Sequence, residues 1–362
     1  MSGEVSRLVD ANLNRASEGL RVLEDVARFA GNDATLSREL RRTRHALAEL
    51  VVGAGVRLLS ARDSVSDVGR ESGLRVGGER DLLSVIRANA KRVQESLRVL
   101  EEVARLSQSE VEMDVAVAER LRYGMYDIEK RLCGRVLRVN RATRVSGLYV
   151  VIDRQAAGDR SLADLARASI DGGAAVIQLR DKTSERGQVY RAAVELSVLC
   201  RERGALFVMN DYCDVAAAVG ADGLHIGQND MPLEAVRKVV PIDCVVGISC
   251  ETVDDVRCAV AGGADYVAVG AVFPTRQKAD HVLAGMDVLR HARRLTGLVP
   301  LVAIGGIDLR NVASVVRAGA DSVAVIGAVI LQPDVTRAAA DMVAAIDEAV
   351  KEREHHDQES AG

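Results

Sequence analysis

From Gly147 onward the chain alternates short β-branched runs with amphipathic helical stretches eight times, and few folds accept that pattern. The strand-like runs are 148–152, 176–179, 206–209, 223–226, 245–248, 266–269, 301–304 and 322–326. Between them the apolar period predicts helices over 161–170, 188–203, 233–239, 253–261 and 309–318. The punctuation Asp171-Gly172-Gly173-Ala174, Ala261-Gly262-Gly263-Ala264-Asp265 and Ala318-Gly319-Ala320-Asp321 marks helix C-caps ahead of strands. Eight such units in about 200 residues have the economy of a closed (β/α)8 TIM barrel. This reading places the barrel over residues 147–350. An open doubly wound sheet would carry G-x-G-x-x-G after its first strand, where this chain has no such motif.

In such a barrel chemistry collects at the C-terminal ends of the strands. Strand alternation sends Gln178, Arg180 and Lys182 of Gln178-Leu179-Arg180-Asp181-Lys182 to one side, a poor core face but a good receptor for an anion. Strand three leads to Asn210 and Asp211, strand four to His225, Gln228 and Asp230, and strand five to Ser249. Strand six is followed by Pro274-Thr275-Arg276-Gln277-Lys278. Strands seven and eight end in Gly305-Gly306-Ile307 and Gly327-Ala328, small residues that let backbone N–H groups approach a phosphate. Asp211 and Asp230 suit Mg²⁺, which takes a few carboxylates and completes its shell with diphosphate oxygens and water. Each feature has a plainer reading. Gly-Gly can be a mere turn, a strand-end Asp can cap the next helix, His225 reads as a core imidazole rather than a base, and Lys278 can be a solvated loop residue. Their joint placement on one face argues for a site, and two anion sites with a metal suggest two phosphorylated substrates.

Residues 1–137 follow a different plan. Ala11-Asn12-Leu13-Asn14-Arg15 through Leu20-Arg21-Val22-Leu23-Glu24-Asp25-Val26-Ala27-Arg28 returns as Ala88-Asn89-Ala90-Lys91-Arg92 through Leu97-Arg98-Val99-Leu100-Glu101-Glu102-Val103-Ala104-Arg105, an internal duplication at one offset. Helical spacing of the apolar residues predicts two related hairpins, with further helix over 36–59 and 113–137 and loops over 63–69 and 73–78. Asn12, Arg15, Asn89 and Arg92 fall inside the apolar arcs of their helices, where polar groups must be paired. They read either as hydrogen-bonded core groups linking the copies or as the lining of a cleft for a phosphorylated ligand. The stripe Glu18, Arg21, Asp25 and Arg28 reads as a solvated, ion-paired face. No G-x-x-x-x-G-K-[S/T] loop is present in this region, which argues against a P-loop kinase. The arginine-rich stretch 138–146 reads as a linker, and the polar stretch 351–362 as a disordered tail in which His355-His356 is too isolated for a metal site.

Bulk properties narrow the class. A net charge of −4 with a pI near 6.0 argues against a nucleic-acid wrapper. No apolar run approaches the roughly 20 residues of a membrane span, and the first residues, Met1-Ser2-Gly3-Glu4, lack a signal-peptide pattern. Six cysteines without a C-x-x-C pair read as reduced thiols of a cytoplasmic protein. A homo-oligomer is compatible with all of this.

The barrel motifs Q-L-R-D-K (from Gln178), N-D (Asn210), A-D-G-L-H-I-G-Q-N-D (from Ala221), G-I-S (Gly247), F-P-T-x-x-K (from Phe273), I-G-G-I (Ile304) and V-I-G-A (Val325) together resemble the thiamine-phosphate synthase family. The resemblance implies condensation of hydroxymethylpyrimidine diphosphate with thiazole phosphate, releasing pyrophosphate. It implies that Gln178, Arg180, Lys182 and Asn210 hold the pyrimidine diphosphate and that Asp211 and Asp230 carry Mg²⁺. Ser249 and Lys278 would contact the diphosphate or stabilise the reacting pair, making Arg180, Lys182, Ser249 and Lys278 the catalytic candidates. Thr275, Gln277, Gly306, Ile326 and Gly327 would grip the thiazole phosphate. Gln277 and Gly327 depart from the family's usual Thr and Ser. The duplicated region resembles the helical domain fused ahead of some of these synthases. That domain is associated with phosphorylating hydroxymethylpyrimidine phosphate, which would use ATP as a substrate. The rival expectations are a thiazole tautomerase for the barrel and a non-catalytic dimerisation or docking module for the helical region.

Overall fold

The strand-helix alternation closes on itself. In the computed structural model, described over residues 2–51, 55–62, 81–106, 113–275 and 283–361, eight parallel strands form a closed barrel in sequence order. They are β1 (Gly147–Asp153), β2 (Val176–Arg180), β3 (Leu206–Asn210), β4 (Gly223–Ile226), β5 (Val245–Cys250), β6 (Tyr266–Val269), β7 (Leu301–Ile304) and β8 (Ser322–Val325). Alternation divides each strand between two cores. Leu148, Val150, Ile177, Leu179, Phe207, Met209, Val267 and Val323 pack outward with the helices. Tyr149, Val151, Val176, Leu206, Val208, Val245, Tyr266, Ala268, Val302 and Ala324 fill the interior together with Ala142 and Val145. The predicted helix over 253–261 is observed as Val253–Ala261, whereas that over 233–239 shortens to Leu233–Val236.

The Gly-Ala-Asp punctuation has a second function beyond ending helices. Asp222, Asp265 and Asp321, each just before an even strand, accept backbone N–H groups of Phe207 (3.0 Å), Val246 (2.9 Å) and Leu301 (2.8 Å) in or beside the preceding odd strand. The glycine two residues before each has positive φ (Gly220 62°, Gly263 84°, Gly319 106°), a left-handed conformation that favours a residue without Cβ. Replacing Asp321 by Ala leaves the Leu301 N–H without its carboxylate. Urea denaturation is expected to show a loss of about 1–3 kcal/mol at unchanged m-value.

The chain divides into two compact units, Met1–Leu137 and Arg138–Gly362. In the first, α1 (Ser2–Asp25), α2 (Ala34–Glu49), α3 (Gly55–Ala61), α4 (Leu82–Ala104) and the part of α5 (Val115–Ala142) up to Leu137 enclose their own apolar cluster, with α1 and α4, the duplicated copies, packed on each other. They meet closely at Gly19, where a Cβ would lie 2.8 Å from Val93 and 3.1 Å from the Asn89 carbonyl. The duplication also repeats a buried glutamate. Glu24 accepts from Arg41 at 2.8 Å and lies 3.4 Å from Arg44. Glu101 pairs with Arg122 at 2.5 Å and Arg98 at 3.0 Å. Burial raises the pKa of both carboxyls, but their arginines outweigh it and hold them below the usual carboxylate range.

Four expectations change. The helix expected over 36–59 is two, α2 and α3, and the expected loops 63–69 and 73–78 lie outside the described residues. The stretch 138–146 is no free linker, because α5 runs on to Ala142. Arginines there replace apolar packing with specific bonds. Arg138 donates to the Ile242 carbonyl at 2.7 Å, and Arg141 to the Asp243 carbonyl and carboxylate at 2.8 and 2.9 Å. The tail is helical rather than disordered, within the helix Val335–Ala361. Its Lys, Glu and Arg residues are good helix formers, and Arg353 reaches the Val316 and Ala320 carbonyls at 3.0 Å. Finally, Arg15 and Arg92 are exposed although their helical phase placed them with the buried Asn12 and Asn89. A long guanidinium stem reaches solvent from a position where an Asn cannot. Among the described residues no helix is long and apolar enough to cross a membrane.

Candidate active site

The C-terminal strand ends enclose a cavity of about 300 Å³. Gln178, Arg180, Lys182, Asn210, Asp211, His225, Gln228, Asp230 and Ser249 all line it, so residues scattered over 72 positions of sequence meet at one mouth. A second cavity of about 440 Å³ adjoins it, lined by Pro274, Thr275, Gly305, Gly306, Gly327 and Ala328. Both are bounded by Ile304, Ala324 and Ile326, so one apolar seam separates a charged chamber from a glycine-rich one.

Local chemistry sets each side chain in the charged chamber. Gln178 faces the barrel interior and is 5% exposed, whereas Lys182 stands at the rim with about half its side chain in solvent. Asp181, on the opposite face, is buried and accepts from the backbone N–H groups of Thr183 (3.1 Å) and Ser184 (2.9 Å). Burial pushes its carboxyl up, but those bonds prevail and leave its pKa lowered. This turn directs the chain away after Lys182. Arg180 forms an ion pair with Asp153 at the end of β1, and Lys182 Nζ lies 3.1 Å from Asp211.

Asp211 is the strained residue of the site. It has φ of 61°, a left-handed conformation that non-glycine residues seldom adopt, and its N–H donates to the His225 carbonyl at 2.9 Å. Burial and the neighbouring Asp230 raise its pKa against the opposing pull of Lys182. Asp230 is itself oriented by the Gly227 N–H at 2.7 Å. Two carboxylates forced together in a partly buried site are what a divalent cation would relieve. Among the described residues no group of three or more His, Cys, Asp or Glu could hold a metal ion.

The second chamber is shaped by close backbone approach. Gly305 and Gly306 have φ of 101° and 65°, and a Cβ on Gly306 would lie 2.6 Å from the Pro274 carbonyl oxygen. Asn311 donates to the Gly306 carbonyl at 2.9 Å and accepts from the Asp308 N–H at 2.9 Å, tying the loop after β7. Gln277 and Lys278 lie outside the described residues. Cys250, at the end of β5, is buried, and burial pushes its thiol up to about 12, which makes it a poor nucleophile.

The strand-end reading missed Tyr149, Asp153, Glu251 and Tyr266. Asp153 and Glu251 lay within its reach, at the end of β1 and two residues past Ser249. The tyrosines had no such signal, since an inward Tyr in mid-strand looks like any large core residue. In the helical unit, Asn12 and Asn89 do not link the copies. Each donates to its own helix, to Leu8 O at 2.8 Å and Val85 O at 2.9 Å, and Asn89 also accepts from Arg92 at 3.2 Å.

The family profile described as thiamine monophosphate synthase matches residues 148–329, and the ThiD2 family profile matches residues 7–131. The thiamine-phosphate synthase of Thermosynechococcus vestitus is 40% identical over 332 residues, 91% of this chain and 91% of the relative. That of Synechocystis sp. is 37% identical, covering 94% of this chain and 95% of the relative. Among solved structures, a thiamine phosphate pyrophosphorylase from Pyrococcus furiosus superposes with a TM-score of 0.53 at 34% identity, covering 58% of this chain and 99% of that one.

Proposed function

Because the chain belongs to the thiamine monophosphate synthase family, with a ThiD2 family domain ahead of its barrel, we propose that the barrel joins hydroxymethylpyrimidine diphosphate to thiazole phosphate. The observation that carries this reading is the pair of chambers meeting at Ile304, Ala324 and Ile326. One offers cations and paired carboxylates to a diphosphate, and the other offers glycine backbone to a single phosphate.

In this reading Gln178 and Asn210 hold the pyrimidine, while Arg180 and Lys182 face the diphosphate. Binding frees these two cations from Asp153 and Asp211, so substrate replaces internal ion pairs rather than entering a site of bare charges. Asp211 and Asp230 would hold Mg²⁺, which supplies charge neutralisation for the departing diphosphate. An electron-rich aminopyrimidine can expel that group to leave a stabilised cation, which the thiazole nitrogen captures. No strong base is needed, and the residues supply alignment and charge stabilisation. Ser249 and Lys278 would contact the diphosphate or reacting pair, and Thr275, Gln277, Gly306, Ile326 and Gly327 the thiazole phosphate. Mixing the protein with both phosphorylated precursors and Mg²⁺ should release pyrophosphate. Absence of release would leave the thiazole tautomerase reading in its place.

For the helical domain we propose ATP-dependent phosphorylation of hydroxymethylpyrimidine phosphate, supported by the ThiD2 family match. Arg92, exposed and held by Asn89, is the better placed of the four polar candidates, with Arg15 its counterpart in the other copy. The back-bonding of Asn12 and Asn89 to their own helices favours a structural role for those two, as a non-catalytic helical module would have. The full chain carrying Asp211→Asn, its barrel silenced, should still convert the pyrimidine monophosphate to the diphosphate with ATP. Arg92→Ala in that background should reduce the conversion at least about tenfold, the loss of one charge-assisted contact. No ATP-dependent turnover would reject the kinase reading.

A further inference from the structure

A chain of hydrogen bonds crosses the barrel interior from β2 to β5. Gln178 Nε2 donates to Tyr149 Oη at 2.8 Å, and Tyr149 Oη lies 3.2 Å from Tyr266 Oη. Tyr266 Oη is 3.0 Å from His225 Nδ1, and His225 Nε2 is 2.8 Å from Ser249 Oγ. The two tyrosines are almost fully buried, and all five side chains, with Gln178 and Ser249 at the two ends, line the charged cavity.

Proton counting makes this chain directional. Each hydroxyl has one proton to donate, and a neutral imidazole offers one donor and one acceptor. If Gln178 donates to Tyr149, the tyrosine proton passes to Tyr266, that of Tyr266 to His225 Nδ1, and the Nε2 proton to Ser249. The Ser249 proton is then left for the cavity, and the Gln178 carbonyl oxygen faces it as an acceptor. Reversing every link instead presents the Gln178 NH₂ and a Ser249 acceptor. A mixed arrangement strands a buried hydroxyl proton without a partner, which is unfavourable.

We propose that Tyr149, Tyr266 and His225 are positioning residues that fix the polarity of Gln178 and Ser249. In the first polarity the site selects a ring whose edge presents a donor to Gln178, an aminopyrimidine over its oxo counterpart. The inference rests on the synthase reading for the identity of the ring. Its core is the coupling of two cavity-facing groups, Gln178 and Ser249, through the buried Tyr149, Tyr266 and His225 between them.

The test compares binding of the aminopyrimidine diphosphate with that of the analogue bearing oxo in place of amino, using full-length protein and calorimetry. Wild type should prefer the amino compound at least tenfold. Tyr266→Phe keeps the ring but removes the acceptor of the Tyr149 proton, so Tyr149 should donate to the Gln178 oxygen and turn its NH₂ toward the cavity. The amino-to-oxo ratio should then fall at least fivefold, chiefly through tighter binding of the oxo compound. Tyr149→Phe, which releases Gln178 directly, should also lower the ratio and serves if Tyr266→Phe does not fold. Equal weakening of both ligands in the folded variants, or an unchanged ratio, overturns the relay. So does wild type that binds both compounds equally well, and that result leaves the synthase reading standing. Wild type that binds neither overturns the synthase reading, and the relay's role in ring selection falls with it.

Discussion

Asp211→Asn is expected to lower pyrophosphate release by at least about 100-fold, the upper end of what losing a mere supporting partner of a metal site costs. The same change should stabilise the protein free of metal and substrate. Burial and Asp230 raise the Asp211 pKa, so the folded state binds its proton more tightly than the unfolded chain does. This group's contribution is therefore most favourable below the unfolded pKa, about 3.9, and is lost as pH rises through the higher folded value. Above that folded value the ionised wild-type carboxylate carries the penalty of burial and of Asp230, which the neutral Asn side chain lacks. Denaturation midpoints should accordingly be higher for Asp211→Asn at pH 7, with the gap closing toward pH 4. Added Mg²⁺ should raise the wild-type midpoint and leave the variant's nearly unchanged. Unaltered pyrophosphate release in the variant would remove Asp211 from the site.

Gly247→Ala should be the most damaging single methyl in the barrel. A Cβ there would lie 1.9 Å from the Tyr266 ring, and the obstructing atoms are ring carbons of a fully buried side chain rather than a flexible tip. Tyr266 cannot yield without leaving its bonds to Tyr149 and His225. Overpacking alone typically costs about 1–3 kcal/mol, and the stranded hydroxyls bring the expected loss to about 3 kcal/mol or more. Urea titration followed by far-ultraviolet circular dichroism measures it. A midpoint equal to wild type would show that the ring has room the packing does not reveal.

Much of the architecture could be read locally. The ends of β4, β6 and β7 follow from β-branched runs bounded by Gly, Pro or Asp, and the capping box of Thr252 and Asp255 begins the helix Val253–Ala261 where its sequence does. Errors arose where tertiary bonds replaced apolar pattern. Arg138, Arg141 and Arg353 hold helix in stretches that look like linker and tail because carbonyl groups far along the chain accept their protons. The site was legible in part for the same kind of reason. Gln178, Asn210 and Ser249 stand within the last three residues of their strands and Asp230 in the loop after β4, positions that can be counted from the strand itself. Tyr149 and Tyr266 could not be found that way, because 117 residues separate two hydroxyls that meet inside the barrel.

The sequence by itself determined the eightfold alternation, the duplication ahead of it and the residues delivered to one rim, since these depend on periods of two and 3.6 residues within short segments. Tertiary structure alone decided which charges are paired before any ligand arrives, that Asp211 and Asp230 repel each other, and that a polar thread joins Gln178 to Ser249. Those properties depend on distances across a closed barrel, and closure brings together groups whose separation along the chain carries no local signal.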